Sequence, residues 1–122
     1  MNEVYKFLKE CGVFYFLTLN GDVPTGRPFG AVMESDGKLY FSTGDFKQVY
    51  RQFISHPKVQ IVAKHPKSRA WIRITGTASV CKDETKRERM IAEIPGIRRK
   101  YEPVGMEHWV MIEVIPENVE WN

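Results

Sequence analysis

The chain has 122 residues, and its 18 basic and 15 acidic side chains give a formal net charge of +3. With 43% hydrophobic and 27% charged residues it resembles a soluble globular protein, and its length suits one core, so we expect a single domain over residues 1–122. No run approaches the roughly 20 apolar residues of a membrane span, and no export signal opens the chain. We therefore expect a cytoplasmic protein without membrane contact. The small basic excess does not indicate nucleic-acid binding.

Cysteines and histidines give no sign of a metal centre. Cys11 and Cys81 lie far apart and outside any Cys-x-x-Cys spacing, so we predict two free thiols. His56, His65 and His108 fit no metal-ligand spacing, and no sequence frame for a nucleophilic triad is present. We therefore predict no metal site and assign no catalytic residue.

The first third of the chain predicts a helix followed by a hairpin. A helical apolar stripe ends before Gly12, which suits a left-handed cap, and Asn2 is the expected N-cap. Residues 13–19 are β-branched and aromatic and predict a strand, and Asn20-Gly21 predicts a tight turn. The stripe consists of Val4, Phe7, Leu8 and Cys11.

Further strands and a second helix follow. Residues 25–33 predict a strand in which Pro28 requires an edge, a bulge or an unpaired position, and residues 38–42 predict the next strand. A helical stripe from Phe46 to Phe53 ends at His56-Pro57.

The second half adds three strands and a charged helix. Residues 59–63 and 69–81 predict strands, with a bend or a close backbone approach at Gly76, and Asp83 caps a helix that runs to about Glu93. Residues 96–108 show no readable pattern, and residues 109–115 predict a last strand before a tail. Six to seven strands in hairpin order with short helices indicate a mainly β fold, a closed or partly closed antiparallel barrel.

The junction between the third strand and the second helix is the best candidate for an anion site. Ser42 and Thr43 offer hydroxyl donors, Gly44 allows close backbone approach, and Lys47 is expected in the first helical turn, where a cation is unfavourable without a nearby anion. Arg27 lies on a preceding strand that hairpin topology can bring alongside. The alternative is an ordinary helix cap with a solvated lysine and an exposed arginine.

These segments, in this order, resemble the pyridoxamine 5′-phosphate oxidase-like family of FMN-binding split β-barrels. The similarity is strongest to the small general-stress-protein and nitroimidazole-resistance-like members, and it spans nearly the whole chain. It is carried by residues 27–32, then Leu39-Tyr40-Phe41-Ser42-Thr43, then Phe46-Lys47-Gln48.

The resemblance implies an FMN site with Arg27 and Ser42 at the phosphate, Lys47 and Gln48 at the helix start, and the backbone of residues 28–32 along the ring. Trp71 occupies the position at which the true oxidases place a glutamine from the partner subunit, and Arg73 is a substitute for it. The implied cofactor-binding residues are Arg27, Pro28, Phe29, Gly30, Ala31, Val32, Phe41, Ser42, Thr43, Lys47, Gln48, Trp71, Arg73 and Trp121.

The resemblance also implies a homodimer with the cofactor at its interface. It implies an oxidoreductase that passes electrons through FMN between a small molecule or NAD(P)H and an acceptor. We do not expect pyridoxamine phosphate oxidation, because the Arg-Leu-x-Pro segment of the true oxidases has no counterpart before Asn122. The alternative is a protein that binds or senses flavin, deazaflavin or haem without turnover. Haem is disfavoured by the poor set of histidine ligands.

Overall fold

The computed structural model describes residues 1–122 and is built around one seven-stranded sheet. Every neighbouring pair of strands is antiparallel, and the spatial order is β2-β1-β5-β6-β7-β4-β3. The strands are β1 (Phe14–Asn20), β2 (Val23–Phe29), β3 (Met33–Ser35), β4 (Lys38–Gly44), β5 (Lys58–Lys64), β6 (Trp71–Cys81) and β7 (Trp109–Trp121).

The sheet rolls up into a barrel that stays open. Strands β1 and β4 are four positions apart in the sheet, which would separate them by about 19 Å if it were flat. Yet the Phe41 ring lies 5.7 Å from that of Phe14 and 5.3 Å from that of Phe16, across the main core. The barrel is not closed, because β2 and β3 form the two edges of the sheet and do not pair with each other. The prediction of a partly closed antiparallel barrel is therefore confirmed.

Pro28 and Gly76, two residue types that disfavour regular strand structure, lie at positions in the sheet that tolerate them. Pro28 is on β2, which pairs only with β1 and is therefore an edge strand. The predicted strand over residues 25–33 is in fact two strands, separated at residues 30–32. Gly76 marks a register shift between β6 and β7, where an added Cβ would lie 2.5 Å from the carbonyl oxygen of Ile115.

Four short helices cover the barrel, and none combines the length and hydropathy that crossing a bilayer requires. The prediction that Asn2 caps the first helix was wrong, because Met1 occupies that position and Asn2 is already helical. The third helix begins as predicted, with the Asp83 carboxylate accepting a hydrogen bond from the Lys86 backbone N–H. The helices are α1 (Asn2–Cys11), α2 (Gln48–Ser55), α3 (Glu84–Glu93) and α4 (Gly96–Tyr101).

Helices α3 and α4 pack on the outer face of β4 and β7 and form a second, smaller core. The segment 96–108, for which the sequence predicts no regular structure, contains α4 and a 3-10 helix, Met106–His108. Ile97 and Tyr101, one turn apart on α4, are both buried. This core contains Met33, Tyr40, Cys81, Met90, Ile97, Tyr101, Trp109 and Met111.

The last strand is longer than the sequence predicts. Strand β7 continues past Pro116 to Trp121, because β6 is long enough to pair with it on both sides of the bulge at Gly76. Trp121 pairs with Ile72, and the backbone groups of Trp71 and Asn122 exchange two hydrogen bonds. The expected tail is therefore part of the sheet.

Candidate functional site

The largest cavity, about 790 Å³, opens where three segments of the fold meet. One wall is β2 with the loop that follows it, the second is the end of β4 with the start of α2, and the third is the segment that leads into α4. Its lining consists of Thr25, Gly26, Arg27, Pro28, Phe29, Gly30, Ala31, Ser42, Thr43, Lys47, Gln48, Val49, Ile94, Gly96, Ile97, Lys100 and Tyr101.

Most of the residues implied by the resemblance meet in this cavity. Strand β2 and the strand β4 to helix α2 junction are distant in sequence, and the curl of the sheet brings them together. The predicted residues that line the cavity are Arg27, Pro28, Phe29, Gly30, Ala31, Ser42, Thr43, Lys47 and Gln48.

The cavity lining carries three cations and no carboxylate. Arg27, Lys47 and Lys100 form no ion pair within the chain. Three positive charges facing one cavity repel one another, and their positions become favourable when an anion occupies the space between them. The electrostatics of this site therefore favour an anionic ligand.

Arg27 is held in place by the protein itself. One terminal nitrogen donates to the Thr18 hydroxyl at 2.8 Å and to the backbone carbonyls of Phe16 and Thr25 at 3.1 Å each. The other donates to Oε1 of Gln52 at 2.8 Å, and the same oxygen accepts from Thr18 at 2.6 Å. This network fixes the guanidinium between β1 and α2, so the alternative of a freely solvated strand arginine does not hold.

Burial lowers the pKa of Arg27, yet the guanidinium remains a cation at any physiological pH. No carboxylate neutralises it, because its partners are hydroxyl, amide and carbonyl oxygens. Arg27 thus brings a fixed positive charge to the cavity wall, with its orientation set by buried Thr18 and Gln52.

Lys47 stands just before α2, not inside its first turn as the sequence predicts. It is the N-cap residue, with extended backbone angles, and its backbone N–H donates to the Gly44 carbonyl at 3.0 Å. Its ammonium group lies 5.7 Å from the centroid of the Phe46 ring and has no hydrogen-bond or ion-pair partner in the chain. Lys47 is exposed at the cavity edge and free to follow a ligand.

The hydroxyls at the end of β4 are prepared to donate hydrogen bonds. The Trp109 indole N–H donates to the Ser42 oxygen at 2.8 Å, which leaves the Ser42 hydrogen available for another acceptor. Thr43 is 4% exposed, and its hydroxyl has no hydrogen-bond partner within the chain. Because no fully buried side-chain oxygen lacks a partner, the Thr43 hydroxyl keeps access to the cavity that it lines.

Gly44 has a different role from the one predicted. It does not line the cavity, and a Cβ at this position would lie 2.8 Å from the Phe46 ring and 3.1 Å from the Tyr101 ring. The absence of a side chain lets these aromatic rings approach the end of β4. Gly44 therefore serves packing and not ligand approach.

The α4 wall of the cavity is the part that sequence reasoning missed. Ile94, just before Pro95, and Ile97 and Tyr101, after it, follow one another at helical spacing, which is the one signal that could have found this wall. Lys100 stands beside Tyr101, with its ammonium 5.8 Å from the centre of the phenol ring. Both residues line the cavity.

Five residues implied by the resemblance do not line this cavity. Val32 and Phe41 belong to the main core and are almost completely buried. Phe41 lies between Tyr40 and Ser42 on β4 and faces the opposite side of the sheet from them, because alternate residues of a strand face opposite sides. The other three lie together near the ends of β6 and β7, where the guanidinium of Arg73 stacks at 5.0 Å on the Trp71 ring. Trp121 is half exposed and packs edge-on against Phe7 of α1.

The histidines and cysteines take no part in the cavity lining. His108 lies in the 3-10 helix and pairs with Asp45 at 3.1 Å, whereas Cys11 and Cys81 are both free thiols. No group of three or more potential metal ligands comes together anywhere in the chain.

Comparison with known proteins places this architecture in a family. The family described as pyridoxamine 5′-phosphate oxidase matches residues 1–120. A NimC/NimA family protein of Clostridium acetobutylicum is similar at 33% identity and a TM-score of 0.86, covering 99% of this chain and 90% of that one. No curated protein shows significant similarity to the chain.

More distant solved structures share the fold. General stress protein 26 of Bacillus anthracis has 16% identity and a TM-score of 0.80, over 98% of this chain and 91% of its own. A protein of Mesorhizobium loti described as FAD-binding has 18% identity and a TM-score of 0.77, with the same coverage of both chains. The family match over nearly every residue and the shared split barrel agree, and the chain belongs to the pyridoxamine 5′-phosphate oxidase family.

Proposed function

We propose that the protein is an FMN-binding oxidoreductase and that the cavity between β2, β4 and α4 holds the flavin. The observation that carries the proposal is the charge of the lining, with three unpaired cations and no carboxylate around about 790 Å³. A cavity of this size falls within the range of small-molecule and cofactor sites. Membership of this family, and a structural neighbour described as FAD-binding, support a flavin-type ligand.

The phosphate of FMN fits the junction of β4 and α2 chemically. Arg27 offers a fixed guanidinium, Lys47 a mobile ammonium, and Ser42 and Thr43 offer hydroxyl hydrogens that no protein acceptor engages. A phosphate dianion accepts hydrogen bonds from all four groups, and charge-assisted bonds of this kind are about twice as strong as neutral ones. The flavin, when bound, supplies the electron-transfer chemistry, and these residues anchor and orient it.

We further propose that the active form is a homodimer. Trp71, Arg73 and Trp121 do not line the cavity of their own subunit, and Tyr15 on β1, two strands from β6 in the sheet, is about half exposed. A second copy of the chain that covers this part of the sheet brings the tryptophans and Arg73 toward the flavin of its neighbour. Light scattering after size-exclusion chromatography tests this directly, and a monomer at micromolar concentration with full flavin binding contradicts it.

The first test of the proposed function is the absorbance spectrum of the purified protein, with mass spectrometry of the compound released on denaturation. We expect the spectrum of an oxidised flavin and the mass of FMN. A colourless protein that also fails to quench the fluorescence of added FMN refutes the proposal.

Anaerobic reduction separates an enzyme from a storage or sensing protein. We expect NAD(P)H or a small-molecule donor to bleach the bound flavin, and oxygen or another acceptor to restore its colour. Bound flavin that no nicotinamide concentration reduces favours the binding protein instead. A deazaflavin in place of FMN gives a different released mass in the first test.

A further inference from the structure

The α4 wall of the cavity carries a second set of polar groups, separate from the β4–α2 junction. Lys100 and Tyr101 are adjacent on α4, and both line the cavity together with apolar Ile94 and Ile97. The Lys100 ammonium forms no ion pair and has no hydrogen-bond partner in the chain, and it lies within cation–π distance of the Tyr101 ring. This wall therefore combines a cation, a phenol and an apolar surface.

The Tyr101 hydroxyl is the most informative group on this wall. The residue is 2% exposed, yet its hydroxyl has no hydrogen-bond partner within the chain. Because every fully buried side-chain oxygen is paired, the unpaired Tyr101 hydroxyl keeps some solvent access, and Tyr101 is one of the residues that line the cavity. Burial and the nearby Asp45 carboxylate raise the pKa of Tyr101, so the phenol is protonated and donates. An almost buried donor without an acceptor in the chain is free to donate to an oxygen from outside it, that of a water molecule or of a ligand.

We propose that Lys100 and Tyr101 form a subsite for the carboxylate of a small, flat substrate acid that binds beside the flavin. The ammonium neutralises the carboxylate, the phenol donates a hydrogen bond to it, and Ile94 and Ile97 contact the apolar body of the molecule. The inference rests on the proposed function, since the flavin occupies the rest of the cavity.

The rival explanation is that Lys100 belongs to the phosphate anchor of FMN together with Lys47. Riboflavin lacks the phosphate, so the ratio of FMN to riboflavin affinity reports on phosphate anchoring alone. A residue of the carboxylate subsite leaves this ratio unchanged, whereas a residue of the phosphate anchor lowers it.

The experiment uses the FMN-loaded protein and benzoate as the probe. Benzoate is flat and carries one carboxylate, and its binding beside the ring perturbs the flavin absorbance. The test variants are Lys100→Gln, Lys47→Gln and Tyr101→Phe. The control is Arg99→Gln, which removes one positive charge from an exposed residue next to Lys100 that does not line the cavity. The Tyr101→Phe variant keeps the ring that packs against Gly44.

We expect benzoate affinity to fall about five- to tenfold in Lys100→Gln and about two- to tenfold in Tyr101→Phe, with the FMN to riboflavin ratio unchanged in both. Lys47→Gln lowers that ratio, and Arg99→Gln alters neither quantity. The inference is overturned if benzoate leaves the flavin spectrum of the wild type unchanged, or if Lys100→Gln retains benzoate or lowers the FMN to riboflavin ratio. A wild type that binds no FMN refutes the proposed function before benzoate is added.

Discussion

Arg27 and Lys47 are both cations of the proposed phosphate anchor, but the structure predicts that only Arg27 also holds the fold together. Its guanidinium makes four hydrogen bonds, and its partners Thr18 and Gln52 are buried. Arg27→Met keeps much of the side-chain volume and removes every donor. The bond between Thr18 and Gln52 survives, so the loss is smaller than four bonds suggest. We expect the free energy of unfolding to fall by about 1–3 kcal/mol.

Lys47→Met is the matched control, since it removes one cavity charge that has no hydrogen-bond partner in the chain. We expect its free energy of unfolding to lie within about 0.5 kcal/mol of the wild type, as for other exposed positions. Urea unfolding of the flavin-free proteins measures both values. Equal stability of the two variants refutes the structural role of Arg27.

The affinities for FMN and riboflavin test whether Arg27 and Lys47 both bind the phosphate. In the folded proteins we expect each substitution to weaken FMN binding by about 1–3 kcal/mol, the range of a charge-assisted hydrogen bond, with little change for riboflavin. Fluorescence titration with the two flavins separates the effects. An equal loss of FMN and riboflavin affinity in Lys47→Met contradicts the assignment of Lys47 to the phosphate.

Three further predictions concern other parts of the molecule. Gly76→Ala places a Cβ 2.5 Å from a β7 carbonyl oxygen, and we expect the free energy of unfolding measured in urea to fall by about 1–3 kcal/mol. Gly26→Ala is the control, because its Cβ makes an ordinary contact at 3.5 Å, and we expect it to leave the urea midpoint nearly unchanged. Because the pKa of Tyr101 lies above its ordinary 10.0, the native state keeps the phenol proton at pH values at which the unfolded chain has lost it. We therefore expect the urea midpoint to fall as the pH rises past 10, and to fall less steeply in Tyr101→Phe. Trp109→Phe removes the donor that orients Ser42, and we expect FMN affinity to drop about two- to fivefold in the wild-type background but not to drop further when Trp109→Phe is introduced into Ser42→Ala.

Much of the barrel could be predicted because local patterns and topology agree. Runs of β-branched, aromatic and apolar residues predicted most strands, and an edge position was one of the places that Pro28 allowed. Gly76 indicated a bend or a close backbone approach, and the structure has both a β6–β7 register shift and a close contact there. The extension of β7 to Trp121 could not be read locally. Residues 116–121 begin with a proline and only half of them are apolar, and they become strand because β6 offers them backbone partners.

Two of the three walls of the candidate site, the β2 wall and the β4–α2 wall, could be predicted from the sequence, and the α4 wall could not. Hairpin topology alone suggested that Arg27 approaches the end of β4, and both line the same cavity. The orientation of Arg27 depends on Thr18 and Gln52, residues remote in sequence whose hydrogen bonds follow from the fold. The α4 wall was missed because a six-residue helix of mixed composition gives almost no periodic signal, and Tyr101 gains its place through packing at Gly44.

The central claim is that the cationic cavity binds a flavin through its phosphate, and the direct measurement compares FMN with riboflavin on the unmodified protein. Isothermal titration gives both dissociation constants under identical salt and pH. We predict at least about tenfold tighter binding of FMN, equivalent to about 1.4 kcal/mol from the phosphate contacts. Equal affinities, or the absence of binding by both flavins, contradict the account.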